Sequence, residues 1–371
     1  MDFFDNHYLF SETYLREYIK LQKKLATPDL ARNYRTIKEW HDECDERNWF
    51  RDYIRPVIDT VGFKYPPITN NTVVLNTNKP AAGDTPVAVL YAANKNEDLS
   101  SDSKGRYYAY ETVSAAKANG VDWAMLTNGY QWRIYNVKNI SPYENYLEVN
   151  IENSMKNGNT PDEAFSLFHL FFNASTYYRN ESGELFIEGI KDKSDETAEQ
   201  VEDLLRGKAE EILKDICYGF KETMGYESYD RATCRMIYQD AITLLFRMLF
   251  FGYAESRGLL PRQVGDMEYK QNSFFKLCEE AKNTLNAGKA YESKNDFDFC
   301  NRLDEHLRIY VDQTYNGGLF SNNDKPILRE YKVANGWMMK CLAEIAYKKD
   351  KKTNVYSEKI EYKDLSVRNL G

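Results

Sequence analysis

Residues 85–93, TPVAVLYAA, are almost continuously apolar. A run of that kind reads as a central strand, covered on both faces, and requires a sheet flanked by helices. Its neighbours fit such a sheet. TVVLN (72–76) is a short apolar run rich in β-branched residues, set off from 85–93 by the turn-like NKPAAGD. RYYAYETVSAAKANG (106–120) carries a helical pattern stopped by Gly120, and DWAMLTN (122–128) and YQWRIYNV (130–137) flank Asn128-Gly129. That dipeptide between two apolar runs is a hairpin signal.

Helices precede the strands. In FSETYLREYIKLQKKL (10–25), Ser11 can cap, and Tyr14, Tyr18, Leu21 and Leu25 recur at helical spacing. The segment 30–60 ends in an apolar stripe of Phe50, Ile54, Val57, Ile58 and Val61, with a bend expected at Pro56 and a stop at Gly62. Residues 1–150 are thus predicted as a compact α/β domain: a mixed sheet flanked by helices, with 72–76 beside 85–93. Residues 151–371 are predicted as a mainly α-helical domain. Helices fall over 161–172, 195–220 and 229–261, then 272–286, 296–311 and 326–347, with no strand before 355. The longest pattern, 229–261, has Asp230 as cap, Gly258 as stop and Pro261 beyond it.

The chain has 371 residues, 42% of them hydrophobic and 29% charged, enough for two packed domains. A net charge of -8 excludes a basic coat and leaves DNA contact to a local patch. His7, His41, His169 and His306 are scattered, which argues against a histidine-rich metal site. Cys44, Cys217, Cys234, Cys278, Cys300 and Cys341 form no CxxC pair and read as reduced, mostly buried thiols of a cytoplasmic protein. MDFFDNHYLF lacks the basic and apolar regions of a signal peptide, and AITLLFRMLFFGYA (241–254), with Arg247 inside it, is too short to span a bilayer. No membrane association is expected.

Several stretches, VDWAMLTNGYQWRIYN (121–136), LLFRMLFFGYAESRGLLP (244–261), YNGGLFS (315–321) and YKDLSVRNLG (362–371), occur in an informative order. HYLFSETYL and FRDYIRPVIDTVGF fit the same order. Together they resemble the N-terminal part of type IIG restriction-modification enzymes and related phage-defence adenine-specific DNA methyltransferases. The resemblance implies a PD-(D/E)xK restriction-endonuclease-like domain followed by a helical connector. An N6-adenine methyltransferase that uses S-adenosylmethionine would come next. It implies double-stranded DNA and that methyltransferase, as domain or subunit, as partners. It also implies that YKDLSVRNLG leads into the methyltransferase, so that Ile360, Leu365, Val367 and Leu370 await a following element or dock on the helical domain.

A PD-(D/E)xK site needs two carboxylates to hold Mg²⁺ at the scissile phosphate and a lysine near the attacking water. The second acid and the lysine stand at i and i+2 of one strand, on one face. The resemblance places these roles at Asn71 (beside Asn70), Tyr91 and Ala93, none of which is an acid or a lysine. The scaffold is present and the catalytic groups are not. Two readings follow: a degenerate, non-catalytic domain that positions a methyltransferase on DNA, or an Mg²⁺-dependent endonuclease with a displaced site. Asp84, Lys95, Glu97, Asp98 and Glu111 are the displaced candidates, each otherwise an ordinary solvated charge. A helical interaction protein unrelated to restriction is a third reading.

Neither GxGxxG nor GxxxxGK[ST] occurs, nor a methyltransferase Asn/Asp-Pro-Pro-Tyr/Phe motif, so no cofactor is expected in this chain. Trp123, Trp132 and Tyr135 could stack on bases but read first as core aromatics. Thr127-Asn128-Gly129 reads as a hairpin turn. Arg247, inside an apolar helix, must be paired or snorkelling, and Glu255 lies eight residues on, about two turns along the same face.

Overall fold

The computed structural model describes residues 4–23, 28–67, 71–78, 86–95, 97–100, 107–260, 273–288, 296–310 and 319–365. The chain divides into two compact units, Met1–Thr197 and Ala198–Gly371.

The first unit is built on a mixed six-stranded sheet. Its strands are β1 (Phe4–His7), β2 (Thr72–Leu75), β3 (Ala88–Ala92), β4 (Trp123–Thr127), β5 (Gln131–Asn136) and β6 (Tyr146–Asn150). Their order is β1-β6-β5-β4-β3-β2. Only β3 and β4 run parallel, and the helix Tyr108–Ala118 makes the crossover that such a pair requires. The expected neighbours 72–76 and 85–93 pair antiparallel, with Thr72 opposite Tyr91.

Period-2 alternation sorts the side chains of this sheet. Leu90, Ala92, Trp123, Met125, Trp132 and Ile134 face the larger core. Val89, Ala93, Ala124, Leu126 and Tyr135 face the crossover helix and its residues Tyr108, Val113 and Ala116. The helices before and after the sheet complete the larger core: α1 (Glu12–Lys23), α2 (Pro28–Glu43), α3 (Arg55–Thr60), and, counting the crossover as α4, α5 (Glu152–Asn157) and α6 (Glu163–Phe171).

Two details differ from expectation. The sheet domain does not close at 150: Met155, Phe165, Phe168 and Phe171 are buried in the same core, with the Trp132 and Phe168 rings 5.0 Å apart. The α1 stripe is rotated, so that Leu15 and Ile19 are buried, Tyr14 and Tyr18 flank them, and Leu21 is 60% exposed. Leu25 lies outside the described residues. Ser11 does cap α1, its Oγ accepting from Tyr14 N at 3.1 Å. At Pro56 the chain passes from one widened helical turn (Phe50–Ile54) into α3, and Gly62 ends it at φ +94°.

The second unit is mostly helical. It contains the larger part of α7 (Phe186–Met224), then α8 (Arg231–Ser256), α9 (Phe274–Asn286), α10 (Asp298–Tyr310), α11 (Pro326–Glu330) and α12 (Asn335–Ala346). Asp230 caps α8 by accepting from Thr233 N at 2.7 Å, and Gly258 follows it at φ +65°. Pro261 lies outside the described residues. The single helix expected over 326–347 is two: the backbone is extended at Tyr331 and Ala334, Val333 and Ala334 are buried, and Asn335 N donates to Asp296 O at 2.7 Å. The expectation of no strand before 355 is also corrected: β7 (Tyr347–Lys349) pairs antiparallel with β8 (Tyr356–Lys359). Ile360, Tyr362 and Leu365 are buried in this unit's own core, while Val367 and Leu370 lie outside the described residues. All six cysteines are free thiols, three buried and three half-buried. Among the described residues, no helix is long and apolar enough to cross a membrane.

Candidate functional site

The β2–β3 pairing sets the backbone of Asn71 beside the end of β3. Asn71 precedes β2, and its carbonyl accepts from Ala92 N at 2.9 Å. Tyr91 and Ala93 share the α4 face of β3. Tyr91 is half-buried with its ring 6.0 Å from that of Tyr108, and Ala93 is buried, its N–H donating to Thr127 O at 2.8 Å. The groups that these three positions present are an amide, a phenol and a methyl. Asn70 and Asp84 lie outside the described residues.

The other displaced candidates are mostly committed to the loop that follows β3. The Glu97 carboxylate accepts from Asn94 N at 3.0 Å, and that of Asp98 accepts from Ser100 N at 2.9 Å. Glu111 stands apart, in the first turn of α4. The loop is tied to the sheet from behind. Arg133, buried on β5, donates to Leu99 O at 3.1 Å and Ser100 Oγ at 2.6 Å, and its Nε pairs with Glu148 at 2.5 Å. Asn128 donates to Glu97 O at 3.0 Å. Burial draws the Arg133 guanidinium down, but Tyr135 and Glu148 outweigh it and hold the group above its ordinary value. Among the described residues, no three His, Cys, Asp or Glu side chains group closely enough to hold a metal ion.

Lys95 is different, because it is built into a cluster the sequence reading did not assemble. Its ammonium lies 4.6 Å from the Trp49 ring centroid and 5.7 Å from that of Tyr130, and it pairs with Glu46. Both rings are nearly buried. Trp49 Nε1 donates to Asn128 O at 2.8 Å, pinning its indole on the β4–β5 turn. Gly129 sits in that turn at φ +95°, and a Cβ there would lie 2.7 Å from indole Cε2. Behind Tyr130, His41 Nδ1 contacts the Asp42 carboxylate at 2.9 Å and Nε2 contacts the Tyr130 hydroxyl at 3.0 Å. A carboxylate only accepts, so Nδ1 carries a proton, and the Nε2 contact ties the imidazole to the Tyr130 hydroxyl. Burial pulls the Lys95 ammonium down, and Glu46 and Tyr130 more than offset it, leaving the lysine above its ordinary range. The Tyr130 phenol is raised, by burial above all. Tyr53, packed against Trp49 with ring centroids 4.4 Å apart, is fully buried, and its hydroxyl has no partner among the described residues. No local pattern links His41, Glu46, Trp49, Lys95 and Tyr130; only the fold does.

The remaining motifs take their plain readings. Trp123, Trp132 and Tyr135 are buried core residues. Thr127-Asn128-Gly129 is the hairpin turn, with Asn128 Oδ1 accepting from Tyr130 N at 3.0 Å and Gln131 N at 2.8 Å. The pairing of Arg247 with Glu255 is not made. Arg247 is buried and donates to Leu319 O at 2.8 Å, Ser321 O at 3.2 Å and Asn322 Oδ1 at 2.7 Å. Glu255 instead caps α9, accepting from Phe274 N at 2.7 Å and Phe275 N at 3.2 Å. The segment YNGGLFS lies only in part within the described residues.

The chain is similar to a protein of Methanocaldococcus jannaschii named as a candidate type II restriction enzyme and methyltransferase. The two are 23% identical over 326 residues, covering 74% of this chain and 26% of that protein, so the chain spans about a quarter of its relative's length. No family model matches the chain, and no solved structure matches it.

Proposed function

We propose that the chain is the DNA-engaging, non-cleaving part of a type IIG-like restriction-modification system. On this reading the first unit is a degenerate PD-(D/E)xK domain and the second is a helical connector. Together they place an adenine-specific methyltransferase on double-stranded DNA, in the cytoplasm and in phage defence. The observation that supports the reading is that Asn71, just before β2, and Tyr91 and Ala93, at the end of its partner β3, stand where the family resemblance expects two acids and a lysine and carry none of those charges. Mg²⁺ is held chiefly through carboxylates, and these three side chains supply none. The site does not fit the ion, and no hydrolytic step is derived through it. S-adenosylmethionine chemistry belongs to the methyltransferase. The name of the similar protein, which joins both activities, supports the setting.

The test is a plasmid-cleavage assay with Mg²⁺ and with Mn²⁺, run beside a duplex-DNA gel shift. The expected result is binding without cleavage. Metal-dependent cleavage lost in Glu97→Gln or Asp98→Asn would replace this reading with the displaced-site endonuclease. Absence of both binding and cleavage would leave only a protein-interaction role.

A further inference from the structure

We propose that Lys95 and Lys156 form a subsite for a backbone phosphate of duplex DNA, and that Glu46 holds that phosphate's place in the free protein. The proposal rests on the DNA-engaging reading above and locates its contact.

Both ammonium groups address the same ring: Lys95 Nζ is 5.7 Å and Lys156 Nζ 5.1 Å from the Tyr130 centroid. The Lys95 side chain is only 16% exposed and lies over Trp49 as well, so its charge is fixed in place rather than sweeping through solvent. Cation–π contact on two rings pre-organises the ammonium. The aromatic floor is itself fixed, by Trp49 on the Asn128 carbonyl and by Tyr130 on His41. Against this rigid cation stands a carboxylate of opposite character. Glu46 is 72% exposed and belongs to a three-residue turn (Glu46–Asn48) with no buried side chain. It can swing away without disturbing any core. A phosphodiester offers the same charge and acceptor chemistry with more oxygens, and release of counterions from DNA favours the exchange. Lys156 is similarly shielded by Glu152 at 2.6 Å, both partners being about half-exposed. The place is also apt, since Lys95 and Asn128 follow the carboxyl ends of the parallel strands β3 and β4, where open α/β sheets receive ligands. Asp42, the other nearby carboxylate, is engaged by His41 at 2.9 Å and by Lys38 at 2.8 Å.

The experiment measures duplex-DNA affinity of the full chain against salt concentration. It compares the wild type, Lys95→Met, Lys156→Ala, Glu46→Gln and the Glu46→Gln/Lys95→Met double variant. Methionine keeps an apolar stem on the two rings, and thermal unfolding checks that each variant is folded. Lys95→Met is expected to weaken binding at least fivefold for every sequence and to reduce the salt slope by about 0.9, the value of one phosphate contact. Glu46→Gln is expected to tighten binding severalfold, a gain the double variant loses, and Lys156→Ala to act like Lys95→Met more weakly. Should the wild type bind while all folded variants match it in affinity and slope, the subsite is wrong and the DNA reading stands. Should neither wild type nor Glu46→Gln bind duplex at low salt, both fall. Competition by low-millimolar inorganic phosphate as effective as that by duplex would replace the backbone contact with a small-anion site and overturn the proposal.

Discussion

His169 shows how one side chain ties titration to stability. Its Nε2 meets the Nδ2 groups of Asn33 at 3.1 Å and Asn173 at 3.2 Å, so the neutral ring accepts from two amides. Burial holds its pKa below the ordinary 6.5. Between the folded and the ordinary value, the unfolded chain binds the proton and the folded chain does not. Stability therefore falls as pH drops through that window, and the contribution is complete only above it. Thermal melts at pH ~7.5 and ~5.5 should show a larger loss for the wild type than for His169→Gln; equal losses would disprove the assignment. The sequence reading had His169 only as one of four scattered histidines, because its partner Asn33 is 136 residues away. The same blindness hid the Lys95 cluster, since Glu46 and Lys95 are 49 residues apart and His41 and Tyr130 are 89 apart. The positions at 71, 91 and 93 could be nominated beforehand only through the family resemblance, the two-residue strand period adding that 91 and 93 share a face.

At the scale of elements, strands with strong apolar content were legible and polar ones were not. β3, β4 and β5 bury nearly every residue, and β3 and β4 are correspondingly apolar, while β5, QWRIYN, alternates apolar Trp132 and Ile134 with polar neighbours. β1 reads FDNH and is a strand only because β6 pairs with it, Phe4 opposite Val149. Helix ends divide the same way. Local caps such as Ser11, Asp162 and Asp230 lie within reach of a pattern search. Caps supplied from another helix do not. α8 provides two of these: Glu255 for α9, and Asp240, whose Oδ2 accepts from Ile327 N at 2.8 Å and Leu328 N at 3.1 Å at the start of α11. Glu255 was therefore misassigned to Arg247, since the helical spacing was real and the competing demand of α9 for an acceptor was invisible. Asp240 is 2% exposed and α11, only five residues long, has no side-chain cap of its own. Asp240→Ala strands two N–H groups and should cost about 1–3 kcal/mol. Asp240→Asn keeps one acceptor oxygen and should cost less. Urea midpoints measure both, and equal midpoints for alanine and wild type would show that α11 is held without the cap.

At the scale of the molecule, the switch of pattern from strands to helices located two units, while the position of their boundary depended on packing. α5 and α6 look like the start of a helical half until Phe165 and Phe168 are seen in the core under the sheet. The two units then have separate hydrophobic cores, one gathered around Trp132 and Phe168, the other around Phe251 and Met248. The stretch of α7 across Thr197 and Ala198 is mostly polar, as a helix that bridges units should be. Separate cores imply separate cooperativity. Phe168 and Phe251 are each 0% exposed, so truncating either to alanine removes about 3–5 kcal/mol from its own core. Calorimetry of the full chain should therefore resolve two transitions. Phe168→Ala should move one of them, and Phe251→Ala the other. If each variant instead shifted a single common transition by the same amount, the units would unfold as one cooperative body. The division at Thr197 would then describe packing alone, with no thermodynamic counterpart.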